Sequence, residues 1–210
     1  MGIVSGIGVL DKAVSIIDAL EAGPRGLAEL VTATGLPRAT THRLAVALEM
    51  HGLADRDVEG RFVLGPRLTG LELPVLARRA LEQLRDLTGE SVQLYVRRGD
   101  RRVCVAALES PHGLRTIVPV GASLPLDVGS AGKVLRGDVP QDGPGFTESV
   151  EERERGVASA SAPVRDTGGR VVAALSVSGP IERTTRSPGR RYGQALVDAA
   201  RTVEHELAGR

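Results

Sequence analysis

The stretch from Gly26 to Leu64 constrains the fold more than any other part of the chain. Gly35 can adopt the positive φ that ends a helix, and Pro37 suits the opening turn of the next one. Leu36 stands between them, where an apolar side chain plugs the angle. In the second helix Thr40, Leu44, Ala47 and Leu48 recur at 3.6-residue spacing and form the expected packing side. The opposite side then carries Arg38, Ala39, His42 and Val46, flanked by Thr41 and Arg43, and no acidic residue falls between Glu29 and Glu49. Short or cationic side chains in the first two turns are what a helix needs to touch base edges in a major groove.

Two strands, Leu53 to Asp57 and Arg61 to Leu64, are expected to pair around Val58, Glu59 and Gly60, with Gly60 supplying the turn dihedral. Arg56 and Arg61 then stand where they can reach phosphates. The order helix, turn, helix, hairpin is a winged helix-turn-helix, preceded by an amphipathic helix over Val9 to Glu21. Leftover apolar surface on that first helix, including Ile16, faces either its own core or a second subunit.

Bulk charge does not predict contact with nucleic acid. The chain has 210 residues and a net charge of +1. Its first 73 residues hold Lys12, Arg25, Arg38, Arg43, Arg56, Arg61 and Arg67 against Asp11, Asp18, Glu21, Glu29, Glu49, Asp55, Asp57, Glu59 and Glu72. Local placement has to do the work, because a handful of neutralised phosphates is enough for affinity. The length accommodates a small domain and a larger one. Cys104 is the only cysteine, which excludes an intrachain disulfide or a cysteine-rich zinc site. No apolar run approaches the roughly 20 residues of a membrane span, and no secretory signal is apparent, so a reducing cytoplasm is the expected setting.

Beyond Gly65 and Pro66 a short linking helix is expected to end at Pro74, with a new helix over Val75 to Thr88. The period then changes to that of strands: SVQLYVRR from Ser91, RRVCVAALES from Arg101, LRTIVPV from Leu114, Ala158 to Arg165 and Arg170 to Ser178, closed by a helix over Tyr192 to Ala208. Lys133 to Ser149, broken by Pro140 and Pro144, reads as a loop. The fold class is α+β, with an antiparallel sheet flanked by helices in the second domain.

The run GLPRATTHRLAVALEMHGL, the wing ending RFVLGPRL, and PVGASLPLDVGSAGK, GVASASAP and ALSVSGP, in that order, resemble the IclR family of transcriptional regulators over nearly the whole chain. The resemblance implies domains at residues 1–65 and 75–210 joined by a linking helix at 66–74. It also implies a double-stranded DNA operator read by Arg38, Ala39, Thr40, Thr41, His42, Arg43, Arg56 and Arg61, a homodimer or tetramer, repressor-type control and no cofactor. The second domain would be GAF-like and would hold a small effector at Leu124, Ser130, Ala131, Ser149, Ser159, Ser176 and Ser178. Relatives are longer near Leu73 and Arg136, and where they place an acidic residue this chain has Ser149. SGIGVLDKA, TGESVQLY and SVSGPIERTTR are most similar to the actinobacterial NdgR-type members, which implies amino-acid biosynthesis genes and leucine, another branched-chain amino acid or a keto acid as effector.

The N–H groups around Ser130, Ala131 and Gly132, at a helix start, suit a carboxylate. GSAGK is not a nucleotide loop, because Val134 follows Lys133 where Ser or Thr is required. Leu94, Cys104, Ala106, Leu114 and Val118 supply either an apolar pocket wall or plain core, and Cys104 reads as a buried inert thiol. The four histidines show no metal spacing, and no nucleophile elbow or redox cysteine pair is present, so the parts of an enzyme are missing. The alternative is a metabolite-binding signalling module whose helix-turn-helix contacts proteins; an uncharacterised hydrolase is a more distant third.

Overall fold

A computed structural model describes residues 5–57, 59–139 and 143–209. Two compact units divide the chain at Glu72 and Leu73.

In the first unit α1 (Gly8–Glu21), α2 (Leu27–Thr34) and α3 (Arg38–Met50) precede a hairpin of β1 (Ala54–Arg56) and β2 (Phe62–Leu64). Gly35 caps α2 at φ +67°, in the left-handed region that favours glycine, and half-buried Leu36 packs into the core beneath the turn. That core is Ile16, Leu20, Leu30, Ala45, Leu48, Ala54 and Phe62. Ile16 is fully buried there, so it belongs to the unit's own interior. β1 is one residue shorter at each end and β2 one residue shorter at its start than the sequence suggests; Gly60 turns the hairpin at φ +77°, and Val58 lies outside the described residues. Phe62 and Arg25 exchange backbone hydrogen bonds of 2.8 and 2.9 Å, which tie the wing to the α1–α2 connection.

The helix α4 (Pro66–Thr88) runs unbroken through Pro74, contrary to the expected stop. A proline removes one intrahelical hydrogen bond, but Leu73, Ala77, Ala80, Leu81 and Leu84 form one buried stripe that continues from the proline to the helix end. Packing along that stripe outweighs the local loss.

The second unit is a six-stranded antiparallel sheet in the order β5-β4-β3-β8-β7-β6, from β3 (Ser91–Arg98), β4 (Arg101–Leu108), β5 (Ser123–Pro125), β6 (Thr147–Val150), β7 (Val157–Arg165) and β8 (Val171–Pro180). LRTIVPV is not a strand. Thr116 and Val118 are buried there, but β5, not 114–120, pairs with the first residues of β4. The 133–149 segment is also more regular than expected: α5 (Ser130–Arg136) occupies its start and β6 its end, while Pro140 lies outside the described residues. Short α6 (Ile181–Thr184) and long α7 (Pro188–Ala208) complete the unit.

Period-two alternation divides the sheet chemically. Val92, Leu94, Val96, Ala160, Ala162, Val164, Ala173, Leu175 and Val177 join the α4 stripe and Leu196, Ala200 and Val203 of α7 in the larger core. Gln93, Tyr95, Ser159, Ser161, Ser176 and Ser178 occupy the intervening positions and therefore share the other face, where α5 packs. The register sets Ser159 opposite Ser178, Ser161 opposite Ser176, and Gln93 opposite Ser176. A polar floor thus follows from strand pairing alone.

Candidate nucleic-acid interface and ligand cleft

On α3 the buried residues are Thr41, Ala45 and Leu48, so the packing side is rotated by one position from the expected Thr40 series. Thr41 is fully buried, with its hydroxyl 3.3 Å from the Leu36 carbonyl and 3.2 Å from that of Pro37. A β-branched polar residue that satisfies its hydroxyl on the preceding turn behaves as core. Its proposed contact with DNA is therefore withdrawn. Arg38, Ala39, His42 and Arg43 are exposed, and Thr40 is half-buried beside them. Arg38 and Arg43 form no ion pair among the described residues, whereas the two wing arginines do. Arg56 lies 3.2 Å from Glu49 with its guanidinium 4.1 Å above the Phe62 ring, and Arg61 lies 2.8 Å from Asp57 and 3.1 Å from Glu59. Such exposed pairs are weak, on the order of 0–1 kcal/mol, so a phosphate can displace them.

In the second unit a narrow cleft of about 30 Å³ is lined by residues that include Ser130, Ala131, Ser149, Ser159, Ser176 and Ser178. Six of the seven expected effector residues are thereby brought together from α5, β6, β7 and β8. Leu124 is not among them: it pairs with Arg102 on β5 and packs in the smaller core. The Ser130 hydroxyl lies 2.8 Å from those of both Ser159 and Ser161, Ser161 donates to Ser176 at 2.9 Å, and Ser178 donates to the Gln93 amide oxygen at 3.0 Å. These hydroxyls bond chiefly to one another, in a polarised chain that Ser176 ends by donating to the Ala160 carbonyl at 3.3 Å.

Sequence reasoning missed Gln93, Tyr95, Arg102, Gly129, Arg153 and Val157 of the lining; Glu154, one of three acids it weighed as a partner near Ser149, completes it. The alternation of β3 and β4 holds the signal for three of them, since Gln93 and Tyr95 share the serine face and Arg102 shares it with Cys104. Of the two readings of the apolar set, pocket wall or core, core holds for four of its five residues. Leu94 and Ala106 pack in or against the larger core, Cys104 and Val118 lie in the smaller one, and Leu114 is exposed. Burial pushes the Cys104 thiol up to about 11, which leaves it unreactive near neutrality. Burial likewise raises the Tyr95 hydroxyl. The α5 start is partly occupied by the protein itself: Glu152 accepts the Gly129 N–H at 3.0 Å and pairs with Lys133 at 2.5 Å. Among the acids beside Ser149, Glu151 bonds to Gly156 and Arg186, and Glu154 alone lines the cleft. No cluster of metal-ligating side chains occurs among the described residues.

A winged helix-turn-helix whose exposed helix carries no acid before Glu49, joined in one chain to a sheet unit with a small polar cleft, defines a ligand-responsive DNA-binding regulator. The chain belongs to the IclR family: residues 9–58 match the IclR helix-turn-helix domain, and residues 67–142 and 143–205 match the bacterial transcriptional regulator IclR C-terminal domain. It is 30% identical to the glycerol operon regulatory protein of Streptomyces coelicolor over 246 aligned positions, covering 96% of this chain and 97% of that protein. It is 25% identical to the HTH-type transcriptional repressor AllR of Escherichia coli, covering 96% and 91%. A solved IclR-family regulator from Rhodococcus superposes with a TM-score of 0.56 at 28% identity, covering 100% of this chain and 96% of that one. An IclR homolog from Microbacterium hydrocarbonoxydans, complexed with 4-hydroxybenzoate, shares the fold at a TM-score of 0.56 and 20% identity, covering 95% and 98%. The protein is accordingly a non-enzymatic, effector-modulated DNA-binding transcriptional regulator of α+β fold. No helix among the described residues is long and apolar enough to cross a membrane.

Proposed function

We propose that this regulator acts in the cytoplasm as a homodimeric repressor, reading a pseudo-palindromic operator with Arg38, Ala39, His42 and Arg43 in the major groove. Thr40 borders that surface, and Arg56 and Arg61 hold flanking phosphates. The observation that carries this reading is the exposed start of α3, free of acids before Glu49, which offers two guanidinium groups with no ion pair among the described residues within the first two turns. Exposed Ile7, Leu10 and Val14 form an outward stripe on α1, distinct from the buried Ile16 and Leu20, and supply the apolar surface for pairing two copies. Domains at 1–65 and 75–210, with 66–74 as the link, describe the division of labour.

The effector is a small polar metabolite bound at Ser130, Ala131, Ser149, Ser159, Ser176 and Ser178. Control of amino-acid biosynthesis genes remains the proposed target, on the similarity of SGIGVLDKA, TGESVQLY and SVSGPIERTTR to the NdgR-type members. Of the candidate effectors, a pathway keto acid suits the cleft better than leucine, because the cleft lining sets Arg102 and Arg153 against the one carboxylate of Glu154, and an ammonium would add a further positive charge. A tenfold change in operator affinity requires a difference of about 1.4 kcal/mol between the two conformations, within reach of a few hydrogen bonds. Selection from a random duplex library, followed by anisotropy titration at several salt concentrations, tests the reading. Enrichment of one sequence, lost in Arg38→Ala, is expected; equal weak binding to all duplexes shifts the function to protein contacts.

A further inference from the structure

Among the described residues Arg102 carries a buried charge with no ion-pair partner; the Asp127 carboxylate acts on it only from beyond ion-pair distance. Its side chain is 3% exposed, on the α5 face of β4 and in the wall of the cleft. One terminal nitrogen is committed to the carbonyl oxygens of Pro125, at 2.7 Å, and Val128. The Nε atom is wholly buried and donates to no described residue. No carboxylate among the described residues forms an ion pair with this guanidinium; the Tyr95 ring, its centroid 5.5 Å away, offers only a face. Burial, together with the nearby charges of Arg153 and Arg136, pulls the Arg102 pKa below its ordinary value.

Two glycines of the GSAGK motif make room for this group. A Cβ on Gly129, whose φ is +79°, would stand 3.2 Å from the second terminal nitrogen, and one on Gly132 would stand 2.8 Å from the first while overlapping the Leu126 carbonyl. The motif that resembles a phosphate loop is thus the seat of a guanidinium. A buried cation held in place by two backbone carbonyls, with an idle donor edge, is costly to maintain unless a ligand completes it.

We propose that the cleft selects a small carboxylate, which pairs with the free Nε edge of Arg102 while the serine hydroxyls of β7 and β8 hold the ligand's polar remainder. This deepens the effector reading above and rests on it. A planar carboxylate matches a single guanidinium edge; phosphate can engage the same edge and is therefore the competing anion in the test.

The test is a ¹⁵Nε–¹Hε arginine spectrum of the full chain, titrated with acetate, 2-oxoisovalerate, inorganic phosphate and the neutral ketone 3-methyl-2-butanone. The Arg102 signal is assigned by its loss in Arg102→Lys or, where that variant does not fold, by its proximity to the Tyr95 ring. A saturable shift with 2-oxoisovalerate, none with the ketone, and affinity at least about tenfold weaker in Arg102→Lys are expected. The proposal is overturned by an Arg102 signal that no carboxylate moves, by equal binding of the ketone, or by a shift with phosphate alone. Operator affinity measured beside each titration separates the two levels. A neutral ligand that changes operator affinity while Arg102 stays silent removes the carboxylate and keeps the effector domain. Operator affinity that no compound alters, while 2-oxoisovalerate still moves the Arg102 signal, removes the effector reading and keeps the anion site.

Discussion

The two units use arginine in opposite ways. On α3, Arg38 and Arg43 stand in water, where an unpaired charge costs little and gains when phosphates release their counter-ions. In the sheet, Arg102 is almost wholly buried, with its Nε unbonded, at a position where solvation is lost. The exposed pair is a surface property that side-chain identity on a helix supplies. The buried residue depends on many others: the β5 and Val128 carbonyls, two glycines, and the Tyr95 ring. A DNA face therefore tolerates change around it, whereas the cleft is specified by its surroundings.

The sharpest way to break that contrast is Gly132→Val. Its side chain meets the Leu126 carbonyl and the Arg102 guanidinium, so a loss of about 1–3 kcal/mol in stability is expected, read by urea unfolding. An unfolding midpoint equal to that of the parent protein denies that Arg102 is tightly seated. On the exposed side, Arg38→Ala and Arg43→Ala are each expected to cost about 1–3 kcal/mol on the selected duplex and to relax its sequence preference. Arg56→Ala and Arg61→Ala lower affinity for all duplexes by less, because each arginine gives up an ion pair to reach phosphate; the salt slope falls by about one. Larger losses from the wing than from α3, in the same anisotropy titrations, contradict this ranking.

Thr41→Val sharpens the boundary between face and core. Removing a hydroxyl that bonds the preceding turn is expected to cost about 1 kcal/mol of stability with operator preference intact. Relaxed specificity at unchanged stability returns Thr41 to the DNA surface. The smallest effect concerns Glu151, whose carboxylate accepts the Gly156 N–H at 3.0 Å and pairs with Arg186 at 3.0 Å. The Gly156 hydrogen bond first, and Arg186 second, hold its pKa below the ordinary 4.5. A depressed folded-state value stabilises above the unfolded value and is lost as pH falls through the folded one. The stability difference between the parent and Glu151→Gln is therefore expected near neutrality and should vanish in acid; a difference independent of pH excludes the ionic contribution.

What was legible in the sequence follows the same division. Gly35, Leu36, Pro37 and Gly60 announce the helix-turn-helix and its wing because each acts locally, through its own dihedral or its own packing. The polar floor was half legible: the serines lie in motifs, but Arg102 sits next to exposed Arg101 in a hairpin and looks solvated until strand parity is applied to β4. Thr41 misled because its hydroxyl is satisfied by two carbonyls that a helical wheel does not display. Pro74 misled because a long apolar stripe counts for more than one lost hydrogen bond. TGESVQLY and SVSGPIERTTR have a structural meaning of their own. Glu90, 2% exposed, takes both oxygens to Arg183 at 2.7 and 2.9 Å, and Gly179 leaves the space for its carboxylate. Resemblance in those segments therefore also reflects how α6 is anchored on the sheet.

The most direct measurement is the affinity of the intact protein for its selected duplex against a scrambled one, across salt concentrations, with and without 2-oxoisovalerate. The account predicts sequence-selective binding that weakens steeply with salt and shifts when the carboxylate is added. Equal weak binding to both duplexes, indifferent to the carboxylate, contradicts it.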